Sequence, residues 1–126
     1  MSRTDIRATV SKANDSWNAA FNRGDAGAVA AHYTRDATVL PHTHAVVKGA
    51  EAITQFWTEM IAAGIKDHGI ELLEAHEAGD IAYSNGKWHA TGRGDDGNPQ
   101  LFEGTIVTIL RRQDDGTWRT CLHTWN

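Results

Sequence analysis

His123 is the residue in this chain best suited to proton transfer. It lies in a β-type run near the C-terminus, and an imidazole that titrates near neutral pH can both give and take a proton. The bland alternative is a histidine held by a neighbouring tyrosine or a backbone carbonyl, without turnover. Tyr33 and His42 are the side chains that can assist it. His42 and His44 form an H-x-H pair. On an extended segment, two histidines at i and i+2 point the same way and can chelate a metal, with His123 as a third ligand in a catalytic-zinc pattern. No carboxylate spacing supports that reading, so no metal or other cofactor is assigned. The pair then serves as polar groups at a pocket rim or belongs to a solvated loop. Asp95-Asp96 and Asp114-Asp115 are paired carboxylates, but both lie in turn sequences beside glycine, where Asp suits the backbone geometry. Cys121 reads as a small inert core residue. Gly92-Arg93-Gly94 enters a turn and is no phosphate loop, since no helix follows it.

Helices come first among the elements that must position these groups. Ser2 or Thr4 can cap a first helix, with Asp5 in its first turn. Ile6, Val10, Ala13, Trp17 and Ala20/Phe21 make one apolar stripe, and Gly24 ends it. Asp25 caps a second, short helix over 26–33, with Val29, Ala30 and Tyr33 as its stripe. Residues 37–40 predict a brief strand that Pro41 stops. Residues 41–47 are a loop. A third helix runs over 50–63 and ends at Gly64. The second half consists of long runs over 67–78, 81–92, 100–113 and 117–126. Gly79-Asp80, Gly94 to Gly97 and Asp114 to Gly116 separate them as turns. Four antiparallel strands in meander order are predicted. Residues 71–75 would also suit a helix, and the surrounding hairpins decide for strand.

Helices followed by a meander predict an α+β domain over 1–126. Long strands must twist and coil, so the sheet is expected to curve around the helices into a cone-shaped barrel with an open end. The chain has 126 residues, 40% of them hydrophobic, enough for one core without staples. Five tryptophans suggest a thick core or an aromatic-lined cavity. Net charge is −4 and the basic residues are scattered, with only Arg111-Arg112 adjacent, which argues against a nucleic-acid partner. One cysteine excludes an internal disulfide. No apolar run has membrane-spanning length, and the N-terminus lacks a secretory pattern, so a cytoplasmic protein without a membrane partner is expected.

Three segments carry a resemblance: Trp17 to Asp25 (WNAAFNRGD), Tyr33 to Val39 (YTRDATV) and Gly49 to Trp57 (GAEAITQFW). With Asp115-Gly116-Thr117-Trp118 and Trp125-Asn126, they resemble the nuclear transport factor 2-like superfamily, and within it the SnoaL-like and ketosteroid-isomerase-like branch. The resemblance implies a pocket between the first helix, the third helix and the concave sheet face, and a homodimer through the convex face. It also implies which sets of strand residues point inward. Trp17, Tyr33, Trp57, Trp88 and Trp125 would be walls, and Ser84, Thr108 and His123 polar points. The isomerase's catalytic positions are not kept. Trp17 stands in place of its oxyanion-hole tyrosine, Pro41 in place of its general-base aspartate and Thr108 in place of its second donor. Isomerisation needs a carboxylate and two O–H donors, so no steroid isomerase activity is expected.

Two functions from different classes fit. One is a cofactor-independent enzyme of isomerase, cyclase or lyase type on a small apolar carbonyl or polyketide-like compound, using His123 with Tyr33 or His42. The other is a non-catalytic binder of a hydrophobic small molecule, for which Trp17, Trp57, Ser84, Trp88, Thr108 and Trp125 are ligand contacts. An accessory or assembly dimer is the remaining possibility.

Overall fold

The computed structural model describes residues 5–126. α1 (Ile6–Asn22) is capped by Asp5, whose carboxylate accepts from the Arg7 and Ala8 N–H groups. Asp5 is therefore the cap and not a first-turn residue. Ser2 and Thr4, the expected caps, lie outside the described residues. Gly24 follows α1 at φ 78°, the left-handed conformation that glycine adopts without strain.

Asp25 caps α2 (Ala26–Ala30) through the Ala28 N–H. This helix is shorter than the sequence predicts. The His32 Nδ1–H donates to the Ala28 carbonyl at 2.9 Å, satisfying a free carbonyl of the last turn. Tyr33 consequently opens β1 (Tyr33–Leu40) instead of completing a helical stripe. β1 is also twice the expected length. The parallel neighbour β6 (Trp118–Trp125) supplies partners that local sequence does not reveal, beginning with the Thr120 N–H on the His32 carbonyl.

β2 (Val47–Lys48) pairs with β1 at the end of the expected loop, and α3 (Ala50–Ala62) follows. The meander is β3 (Lys66–Ala78), β4 (Ile81–Arg93), β5 (Pro99–Arg112) and β6. All six strands form one open sheet in the order β2-β1-β6-β5-β4-β3. The four meander strands pair antiparallel, as the sequence predicts, and β1, which joins the sheet beyond them, runs parallel to β6. The chain leaves β1, crosses through α3 and the meander, and returns alongside it in the same direction.

Bulges bend the strands. β3 carries an extra residue between Lys66 and Gly69 and another between Leu72 and Glu74. The second explains the ambiguous stretch at 71–75. Ile70, Leu72 and Ala75 all pack inward, at a spacing of two then three, because Leu73 bulges out and stands half exposed. In β6 a bulge near Cys121 shifts the register against β5, so that Thr120 and His123 both face the helices. This breaks the alternation that groups Cys121 with His123, and Cys121 is only half-buried.

The helices fill the concave face. The larger core cluster joins Trp17 and Phe21 of α1, Val29, Val39, and Ile53 and Trp57 of α3. A smaller one joins Val10, Ala82 and Leu110 at the other end of α1. No described helix is long and apolar enough to cross a membrane.

Candidate functional site

Between α1, α3 and the concave sheet lies a cavity of about 180 Å³. Trp57, Trp88 and Trp125 line it, as do His68 and His123, with His42 at the rim. Phe21, Phe102 and Ile106 complete an almost wholly apolar wall. The Trp88 indole is fixed by its N–H donating to the Asn126 carbonyl at 3.2 Å. A side chain at Gly104 would collide with that carbonyl and crowd the indole, so the absence of a Cβ there holds the wall together.

Tyr33 and Trp17 stand behind this wall and touch a smaller void. Their polar atoms converge on His123. The Trp17 indole N–H donates to the Tyr33 hydroxyl at 3.1 Å, and that hydroxyl meets His123 Nδ1 at 2.8 Å. An indole can only donate. The phenol oxygen therefore accepts from Trp17 and uses its own hydrogen on Nδ1, its only acceptor among the described residues. This assigns the neutral tautomer of His123 with hydrogen on Nε2. Trp57 Nε1 also faces the Tyr33 oxygen and pulls its pKa in the same direction as Trp17, but falls short of hydrogen-bond geometry.

The His123 ring is near parallel to both Tyr33, which meets it through the Nδ1 hydrogen bond with centroids 6.0 Å apart, and Trp57, 5.9 Å away. Burial, aided by the nearby His68, lowers its pKa to about 3. The same burial pushes the Tyr33 phenol far up. Both are neutral throughout the physiological range. His123 is thus a fixed donor and a very weak base, which changes the acid–base role its residue type suggests.

Nε2 of His123 has no partner among the described residues. It is also not sealed off: among the described residues, the one fully enclosed side-chain nitrogen or oxygen without a partner is Trp57 Nε1. His68, which the sequence reading omits, is similar. Its Nδ1–H donates to Asn18 Oδ1 at 2.7 Å, leaving Nε2 with a free lone pair. Burial, and then the charge of His89, lower its pKa to about 4. The signal was available, since the alternation that puts Ile70 inside puts His68 inside too.

Ser84 and Thr108 are not on the main cavity. Their hydroxyls bond each other at 2.6 Å beside small voids elsewhere on the concave face. Pro41 and His44 border an outer groove with His42 and Trp125. The described residues contain no group of three or more His, Cys, Asp or Glu side chains able to hold a metal. Asp96 and Asp115 serve their turns by accepting from the Asn98 and Thr117 N–H groups.

Solved structures share this architecture. A ketosteroid isomerase-like protein from Erwinia carotovora atroseptica is 21% identical with a TM-score of 0.84, the alignment covering 98% of this chain and 96% of that one. A nuclear transport factor 2-like superfamily protein from Salmonella enterica is 13% identical with a TM-score of 0.81, covering 96% and 89%. A putative aromatic ring hydroxylase from Novosphingobium aromaticivorans is 21% identical with a TM-score of 0.81, covering 100% and 91%. At these identities the likeness is one of fold. No protein of curated function matches the sequence. A family model described as the SnoaL-like domain matches residues 15–120, and the chain belongs to that family.

Proposed function

We propose that this protein binds a small, neutral ring compound bearing a carbonyl, held by the His123 Nε2–H inside the apolar cavity. The observation that carries this reading is a donor of fixed tautomer, without a partner among the described residues, on a side chain that lines a mostly apolar cavity. Aromatic walls with few polar points are the usual make-up of small-molecule sites. The volume of about 180 Å³ compares with the roughly 150 Å³ of an apolar cavity that accepts benzene. One substituted ring fits, and a four-ring steroid skeleton exceeds it.

The same donor would polarise a bound carbonyl, which is half of an isomerase- or lyase-type proton transfer. The other half requires a base. His123 itself is depressed to about pKa 3, and no carboxylate lines the cavity. Binding without turnover is therefore the primary reading, and catalysis with Tyr33 or His42 the secondary one.

Acetophenone, benzene and benzoate test this by calorimetric titration. Acetophenone should bind more tightly than benzene by about two- to ten-fold, the worth of one neutral hydrogen bond. His123→Phe should erase that difference. Benzoate should not bind, because a carboxylate would lose its hydration without meeting a cation. Benzoate binding as tight as acetophenone would refute the proposal.

A homodimer through the convex face is part of the same reading. Tyr83 and Val107 lie on the face opposite the helices, 46% and 41% exposed, and Ile109, the cross-strand partner of Tyr83, adjoins them. Val107→Asp should yield monomers in sedimentation if the face pairs. The proposed compartment is the cytoplasm, which suits a single unpaired cysteine.

A further inference from the structure

We infer that His68 is a second anchor of the same cavity, an acceptor opposed to the His123 donor, so that the preferred ligand is a hydroxylated aryl ketone. This rests on the binding reading above and narrows its ligand class.

The placement of His68 is built from several independent parts. The left-handed backbone at Asp67 (φ 55°) and the bulge between Lys66 and Gly69 re-aim the strand just where His68 leaves it. Asn22, the last residue of α1, clasps the His68 backbone on both sides. Its Oδ1 accepts the His68 N–H at 2.8 Å, and its Nδ2 donates to the His68 carbonyl at 3.0 Å. Asn18, one turn earlier, accepts the Nδ1–H. The ring lies parallel to Trp88, 6.1 Å away, and against Trp17 at 4.7 Å. Backbone, tautomer and ring plane are all held, which is how a positioned recognition group is made.

What remains free is the Nε2 lone pair. His68 lines the cavity that His123 also lines, and both rings flank Trp17. One imidazole offers a hydrogen and the other accepts one. A ligand with a carbonyl at one end and a hydroxyl at the other satisfies both, whereas a ligand with a carbonyl alone leaves the His68 lone pair unmatched in an apolar space. A second carbonyl in place of the hydroxyl cannot bond to it.

Calorimetric titration with acetophenone, 3- and 4-hydroxyacetophenone and 4-methoxyacetophenone reads this directly. At least one hydroxy compound should bind roughly five-fold or more tightly than acetophenone. The methoxy compound should show no gain. His68→Phe, which keeps the aromatic stack, should remove the hydroxyl's advantage, so that acetophenone and its hydroxy derivatives bind alike. His68→Gln, whose side-chain carbonyl restores an acceptor, should keep part of it. It also serves as the second variant should the phenylalanine protein fold poorly. Equal affinities for acetophenone and both hydroxy compounds would overturn the assignment of His68 while leaving the His123 reading intact. An advantage that survives His68→Phe would overturn it likewise. Failure of acetophenone to bind at all would overturn the underlying reading, and this inference with it.

Discussion

The concave face carries two polar pairs with opposite fates. Ser84 and Thr108 lie opposite each other on β4 and β5 and spend their hydroxyls on one another. His123 and His68 each spend one ring nitrogen on a positioning partner, keep the other without a partner among the described residues, and line a common cavity. Both pairs sit against apolar neighbours, where an unmet polar group is costly. The first pair has removed that cost within the protein. The second has removed half of it, and on the proposed reading a ligand meets the rest. Half-satisfaction, rather than residue type, is what distinguishes the site from the scaffold here.

The largest expected effect comes from the wall between the two regions. Trp57 is 5% exposed and packs on Trp17, Phe56, His123 and Trp125. Trp57→Ala should cost about 3–5 kcal/mol by urea unfolding, and a smaller loss would mean that the site collapses easily around the gap.

Acid should come next. An unfolded histidine takes up a proton near pH 6.5, but His123 resists until about 3 and His68 until about 4. Their stabilisation is complete above about 6.5 and is lost as pH falls below it, because the unfolded chain then binds more protons. Each contributes about 1.4 kcal/mol per pH unit within its window. The groups facing His123 are Tyr33, Trp17, Trp57 and Trp125, all uncharged, together with His68. Urea midpoints between about pH 6 and 4 should fall less steeply in His123→Phe. Parallel slopes would show that His123 already charges in the folded protein.

Tyr33→Phe should cost about 1–3 kcal/mol, since it strands the buried Trp17 N–H and the His123 Nδ1 together. It should also weaken acetophenone, because the Nε2–H tautomer loses its support. An unchanged affinity would mean that Tyr33 does not set the tautomer. The smallest effect belongs to the closed pair. The double variant Ser84→Ala with Thr108→Val removes both partners and should stay within about 1 kcal/mol of the parent, with ligand binding intact. Lost binding would bring that pair back into the site.

The elements were legible where a local device sets them. Asp25, Gly24 and Gly64 mark helix ends, and the glycine–aspartate turns mark the meander. Tyr33 was misplaced because the closing device is a side chain, His32 folding back on its own helix, and because β1 finds its partner some ninety residues away in β6. The resemblance said which face of β4 and β5 is inward, and simple alternation sorted their residues onto it. Alternation failed at Leu73 and Cys121, where a bulge inserts one residue and reverses the pattern. In the site, the resemblance indicated Trp57, Trp88, Trp125 and His123, which do line the cavity. It could not tell that Trp17 and Tyr33 stand one layer back, nor that Ser84 and Thr108 satisfy each other. The chemistry of His123 was the least legible part. A residue name carries a pKa near 6.5, and only the surrounding indoles and phenol turn it into a permanently neutral donor.

That neutral donor is the central claim, and ¹H–¹⁵N NMR of the histidine side chains tests it most directly. His123 should show the neutral Nε2–H tautomer from about pH 8 down to about pH 5, and its Nε2 resonance should move when acetophenone is added. An imidazolium at about pH 6, a hydrogen on Nδ1, or an Nε2 resonance unmoved by saturating acetophenone would contradict the account.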